Sequence, residues 1–308
     1  MPRKHYHILL FVILFFACSK DSFDKVRDVP QNENPPFGTV WLTENIYIDK
    51  FETSNDNWKE FYFDLGKIKS QLEPDLEPTD YLPGGVTLND SNLAKTSSIP
   101  PGISKTKDFY NTYFQHKFFD FHPVIKITKE QAKKYCWWRT VVVNAVLAYD
   151  LGEIQYNPDS LYPNVKQRVK YRLPSKDEWE FAAQAGLPIR EFPLGYERIK
   201  DKRDNFIIIS EEASDYFKED IPDARNIPQY HGQRIYSPTK PVFWGKPNKY
   251  GVYNLMGNVS EIVEQEGLVK SMNWAHSLTE GHTINEDHKF KRPSIRVGVR
   301  CVCEVLDE

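Results

Sequence analysis

The sequence predicts an α+β domain with a few helices, short antiparallel strands and much irregular backbone. Three observations lead there. Two capping boxes each precede apolar residues at helical spacing, and short β-branched and aromatic runs bounded by turns occur toward both ends. Between them lie long stretches rich in Pro, Gly, Ser and Asn. No internal repeat or heptad pattern is present, and 308 residues suffice to bury one large core.

In chain order, Arg3 and Lys4 precede an apolar run from Ile8 to Ala17. That run is too short to span a bilayer and suits the apolar part of a secretory signal. Leu14-Phe15-Phe16-Ala17-Cys18 resembles a bacterial lipobox, whose cysteine is acylated and becomes the new N-terminus. Residues 1–17 are then a signal peptide, 18–37 a lipidated tether and 38–308 the folded domain. The alternative is an ordinary signal cut near Ala17, with Cys18 incidental. The expected location is exported, periplasmic or on the cell surface, held to a membrane by acyl chains rather than by a span.

Val40-Trp41-Leu42 and Ile46-Tyr47-Ile48 read as a hairpin. Residues 55–71 carry Trp58, Phe61, Tyr62 and Leu65 at helical spacing, with Ser54 or Asn55 as N-cap. Residues 78–106 read as a long surface loop. Thr128-Lys129-Glu130-Gln131 opens a second helix and Ser175-Lys176-Asp177-Glu178 a third, which ends at Gly186. Residues from about 189 to 223 read as a charged insertion, and from Val242 onward the pattern is short strands and turns. Net charge is −3, so no overall field favours nucleic acid, and none is expected as a partner.

Four segments in order carry a family resemblance: IYIDKFETSNDNWKEF (46–61), HPVIKITKEQAKKYCWWR (122–139), YRLPSKDEWEFAAQAG (171–186) and NKYGVYNLMGNVSEI (248–262). A fifth, RVGVRCVCEV (296–305), follows them. Together they resemble the formylglycine-generating enzyme, or sulfatase-modifying factor, domain, over most of residues 38–305. The resemblance implies that family's irregular α+β fold, distantly like C-type lectins. Much of the motif set also has a purely structural reading: Arg172 to Glu180 starts a helix, with acidic residues at its positive end and Trp179 turned inward.

The resemblance also implies sites. In the family a cysteine at the position of Cys136 pairs with one at the position of Cys301. Cys303, two residues on, competes for Cys136 or remains a free thiol. Asn254, Gly257, Val259 and Glu261 match a family calcium site, two supplying side-chain oxygens and two backbone carbonyls. A second calcium site is damaged: Asn226 and Ile227 match, but Arg234 falls where an aspartate belongs. One structural calcium is therefore expected.

The family's oxidase chemistry needs two nearby cysteines, because soft thiolates select Cu(I). The matching segment runs from Leu268 to Thr279; Ser271 persists, but Trp274 and Thr279 stand at the cysteine positions. Copper is not expected. His276, His282 and His288 follow at spacings of six, read here as a solvated polar loop rather than a metal site. Trp137, Trp138, Trp244 and Trp274 are candidate cleft walls, with core packing the commoner fate of such residues. The expected function is a non-catalytic binding or scaffold component of the cell envelope, with an unknown protein or glycan partner. Two alternatives remain: an oxidase or hydroxylase with altered ligands, and a calcium-dependent glycan-binding module.

Overall fold

The computed structural model describes residues 35–71, 73, 75–84, 86, 113–155, 157, 164–210, 229–230, 233–234, 237 and 239–306. Cys18 and the tether to residue 34, most of the 78–106 loop and the end of the expected insertion lie outside them. Among the described residues no helix is long and apolar enough to cross a membrane.

The hairpin expected near the start is β1 (Thr39–Thr43) and β2 (Ile46–Asp49), with Val40 opposite Ile48. Helix α1 spans Asn55–Gln71, and its cap is Ser54, whose Oγ accepts from the Asn57 N–H at 3.2 Å. The Thr128 capping box closes as expected and opens α2 (Lys129–Asp150). After β3 (Val169–Arg172), the Ser175 box likewise opens α3 (Lys176–Gln184). Ala185 and Gly186 follow it, both with positive φ. The rest is β4 (Gln229–Tyr230), β5 (Gln233–Arg234), β6 (Ser260–Ile262), β7 (Leu268–Lys270), β8 (His288–Lys289), β9 (Val297–Gly298) and β10 (Val302–Val305).

One antiparallel sheet runs β1-β2-β10-β3, and another runs β8-β7-β6-β9, with β6 and β9 parallel. Successive side chains of the first sheet point to opposite faces, and each face meets a core. Tyr47, Tyr171 and Cys303 face α1 and α2, where Trp58, Phe61, Leu65 and Tyr135 are buried. Ile46, Ile48 and Val302 face the other way, onto Trp179 and Ala182 of α3 and onto Leu255 and Met256. Trp58 stacks on Tyr135 with ring centroids 5.3 Å apart, which locks α1 against α2.

Residues 189–210 differ from a surface insertion. Ile207 and Ile208 are buried in the second core with Tyr196, and Ile209 bridges to Gly257. The charge of the segment hid a three-isoleucine run that is long enough to enter the core.

Helix α1 carries an acidic row at i, i+4 spacing: Asp56, Glu60 and Asp64. Burial, reinforced by Asp56 and Asp64, lifts the Glu60 carboxyl to about 7 from an ordinary value of 4.5. The folded chain therefore holds this proton across that window, and stability falls as pH rises from about 4.5 to about 7. After allowance for solvent screening of a half-buried group, E60Q is expected to stabilise the fold by about 1–2 kcal/mol at pH 8 and to change little at pH 4. Urea unfolding at the two pH values checks it; equal effects at both would refute the assignment.

Candidate functional site

The second sheet and the turn before β6 bring the expected calcium positions into one buried cluster. Gly257 adopts φ +98°, and a Cβ there would stand 2.4 Å from the Ile209 carbonyl oxygen, so only glycine admits this approach. Val259 points its side chain into a small core with Tyr113, Phe119 and Ile125. Asn254 and Glu261 are both buried.

Glu261 is engaged by protein on both oxygens. Arg300 Nη2 donates to its Oε1 at 2.7 Å, Arg300 Nε reaches both oxygens at 3.1 Å, and Trp179 Nε1 donates to Oε2 at 2.7 Å. Arg300, itself fully buried, also donates to the carbonyls of Asp49 and Tyr253. The guanidinium supplies the positive charge that an ion would, so Glu261 in this arrangement is a counter-ion and does not fit as a calcium ligand. Other oxygens in the cluster do fit. Asn254 donates Nδ2 to Glu52 and to the Val242 carbonyl, which leaves its Oδ1 buried without a hydrogen-bond partner; Glu52 Oε1 is in the same position. Burial, with Glu261 nearby and against the pull of Arg300, lifts the Glu52 carboxyl to about 8. Glu52 is not among the expected site residues; it lies in the link between β2 and α1, where nothing in the local sequence marks this role. Of the second calcium position, Asn226 and Ile227 lie outside the described residues.

The segment matching the family's copper thiols begins at β7 and continues as a loop to β8. Its root is held by Lys270, fully buried, whose Nζ donates to Glu180 at 2.7 Å, Asp287 at 2.9 Å and the Glu286 carbonyl at 2.7 Å. Ser271 takes φ +78°, and its carbonyl accepts from Ser260 Oγ at 2.8 Å. Trp274 is half-buried on this loop beneath Arg296, whose guanidinium lies 5.5 Å from the ring centroid. Thr279 is exposed in a short 3₁₀ turn at Leu278–Glu280. Of the other tryptophans, Trp138 belongs to the first core, Trp137 packs on its edge beneath Lys134, and Trp244 is half-buried.

The same loop brings His276, His282 and His288 together, contrary to their reading as separate solvated residues. Ring centroids are 4.6 Å apart for His276 and His282 and 5.0 Å for His276 and His288. Burial, with His282 and His288 alongside, holds the His276 imidazole down to about 4, and burial also lowers His288. Burial opposes charge on His282, yet its bonds to Glu286 and Glu280 outweigh it and raise that pKa.

Cys136 on α2 and Cys301 beside β10 are brought together, with sulfurs 2.9 Å apart as free thiols. Cys303 is buried opposite Tyr171 in the strand register, and burial pushes its thiol up to about 12.

An α+β domain with two four-stranded sheets of short strands and a two-stranded β4-β5 sheet among the described residues, the Arg172-to-Glu180 helix start and a buried glutamate beside the C-terminal Gly-x-Arg is of the formylglycine-generating-enzyme class. Residues 20–305 match the family model described as the sulfatase-modifying factor enzyme 1-like domain, and the chain belongs to that family. Among curated proteins, it is 28% identical over 148 residues to "Chaperone protein LppX" of Paenibacillus barcinonensis, covering 45% of this chain and 50% of that one. It is 26% identical over 140 residues to the formylglycine-generating enzyme of Mus musculus, covering 46% of this chain and 26% of the enzyme. The matched stretch thus spans half or less of these relatives' own length. Among solved structures, it is similar to PvdO from Pseudomonas aeruginosa (TM-score 0.42, 18% identity, covering 90% of this chain and 89% of that one). It is also similar to CarF (TM-score 0.40, 16% identity, covering 85% and 87%).

Proposed function

We propose that this chain is a non-catalytic member of its family, exported and held on the cell envelope through an acylated Cys18, where it binds a protein or glycan partner. The observation that carries this reading is the pairing of Trp274 and Thr279 with the positions of the copper thiols. The sequence has four cysteines; apart from Cys18, all are buried in the first core, beyond reach of a substrate. A family relative named as a chaperone supports partner binding by such a domain. Two measurements on purified protein test the reading. A cysteine-containing sulfatase peptide incubated with copper and oxygen should emerge unconverted by mass spectrometry, and crosslinking in the native envelope should capture a discrete partner. Conversion of the peptide would overturn the reading. A glycan array with calcium present separates a glycan partner from a protein one.

We further propose one structural calcium in the Asn254 cluster, with Asn254 Oδ1 and Glu52 Oε1 as side-chain ligands, because these are its unpartnered buried oxygens. Millimolar calcium should raise the melting temperature by several degrees over chelator-treated protein, and N254A should abolish the increment. Identical melting with calcium and with chelator would refute the site.

A further inference from the structure

We propose that His276, His282 and His288, with Glu286 as a fourth ligand, bind one divalent transition-metal ion of the zinc class on the loop between β7 and β8. This inference goes beyond the partner-binding reading and does not depend on it. The topology assembles the site. His288 is the first residue of β8 and pairs opposite Val269 of β7, so the chain returns to its starting point after carrying His276 and His282 around the loop. One candidate ligand atom from each of the three lies within 4.8 Å of the others. Nitrogens that share a tetrahedral zinc at about 2.0–2.1 Å stand about 3.3 Å apart, so modest side-chain rotation closes the site.

The carboxylates fix which nitrogens face the ion. Glu286 Oε2 lies 2.6 Å from His282 Nδ1 and 3.9 Å from His288 Nε2, so one oxygen already stands between two imidazole nitrogens. An ion there takes the lone pairs of both nitrogens and that oxygen. On the far side of the His282 ring, Nε2 lies 2.7 Å from Glu280 Oε2. That carboxylate keeps the Nε2 proton and orients the ring, the usual carboxylate–histidine–metal relay. His276 completes the set by exchanging its hydrogen bond from the Asn273 N–H, 3.1 Å long, for the ion.

Charge and exposure agree. Glu280 and Glu286 bond His282 directly, while Lys270 and Lys176 alongside are paired with Glu180 and Asp287. The rings are half-buried, which allows an ion to enter. Imidazole with carboxylate suits zinc, cobalt and nickel, whereas calcium and magnesium prefer oxygen alone.

The test uses the full chain without a histidine tag, stripped by chelator and titrated with cobalt(II) and then zinc. The expected result is one cobalt per chain, with visible absorption of a four-coordinate nitrogen–oxygen site, displaced by one equivalent of zinc. H276A, H282A and H288A should each weaken zinc at least tenfold in competition with a chromophoric chelator. E280Q should weaken it about 10–100-fold while the cobalt spectrum persists. Circular dichroism checks that each variant is folded, and H282Q replaces H282A if that variant is not. No stoichiometric binding at micromolar protein, or an affinity unchanged in all three histidine variants, overturns the site.

Discussion

Replacing Arg300 with Met is expected to destabilise the fold by about 3–5 kcal/mol, because it leaves the Glu261 carboxylate buried without its counter-charge. The change also removes a donor from the buried Asp49 carbonyl and another from the part-buried Tyr253 carbonyl. Urea unfolding measures the loss. The companion measurement is the double variant E261M/R300M, which removes both charges together. It should recover much of the loss, since well-packed apolar residues often replace a buried ion pair at little net change. If R300M proves nearly neutral, Glu261 is not held by Arg300 in solution and becomes available again as a cation ligand.

Oxidation is expected to join Cys136 to Cys301 and to leave Cys303 as a thiol. In the chain-entropy model, closing a loop between residues 165 apart stabilises the fold by about 5 kcal/mol, the upper end of the usual range. Peptide mapping without reductant should find the Cys136–Cys301 link, and reductant should lower the melting temperature. C303A should leave both results unchanged. A Cys136–Cys303 link would refute the pairing. An exported protein meets the oxidising conditions this bond requires, so the bond's presence in protein isolated from cells also tests the expected location.

The parts of the fold that were legible in the sequence are those decided locally. A Ser or Thr three residues before a Glu or Gln forms its cap within one helical turn, so α2 and α3 began where they were expected. Helix α1 was legible from the spacing of Trp58, Phe61 and Leu65, all turned to one core. The parts that were not legible depend on residues far away in the chain. Glu261 reads as a cation ligand until Arg300, 39 residues on, is brought onto it. Glu52 gives no local sign that Asn254, 202 residues later, will donate to it. The histidines at spacings of six do not share a helix face, and no helix or strand spans all three, so only the return of the chain at His288 unites them. Cys301 and Cys303 show the mixed case: the period of two predicts that both are buried on one face, and tertiary packing selects the sulfur that meets Cys136.

The position of β10 in the first sheet has a consequence for biosynthesis. β10 lies between β2 and β3, hydrogen-bonded to both, yet it follows both in the chain by more than a hundred residues. Until it has left the ribosome, β2 and β3 have no partner on those edges, and the two cores that meet across this sheet cannot close. Closure of this sheet therefore waits for β10, and its rate is set by pairings between distant segments. Closure of both cores thus waits on a strand made more than a hundred residues after the two that it joins.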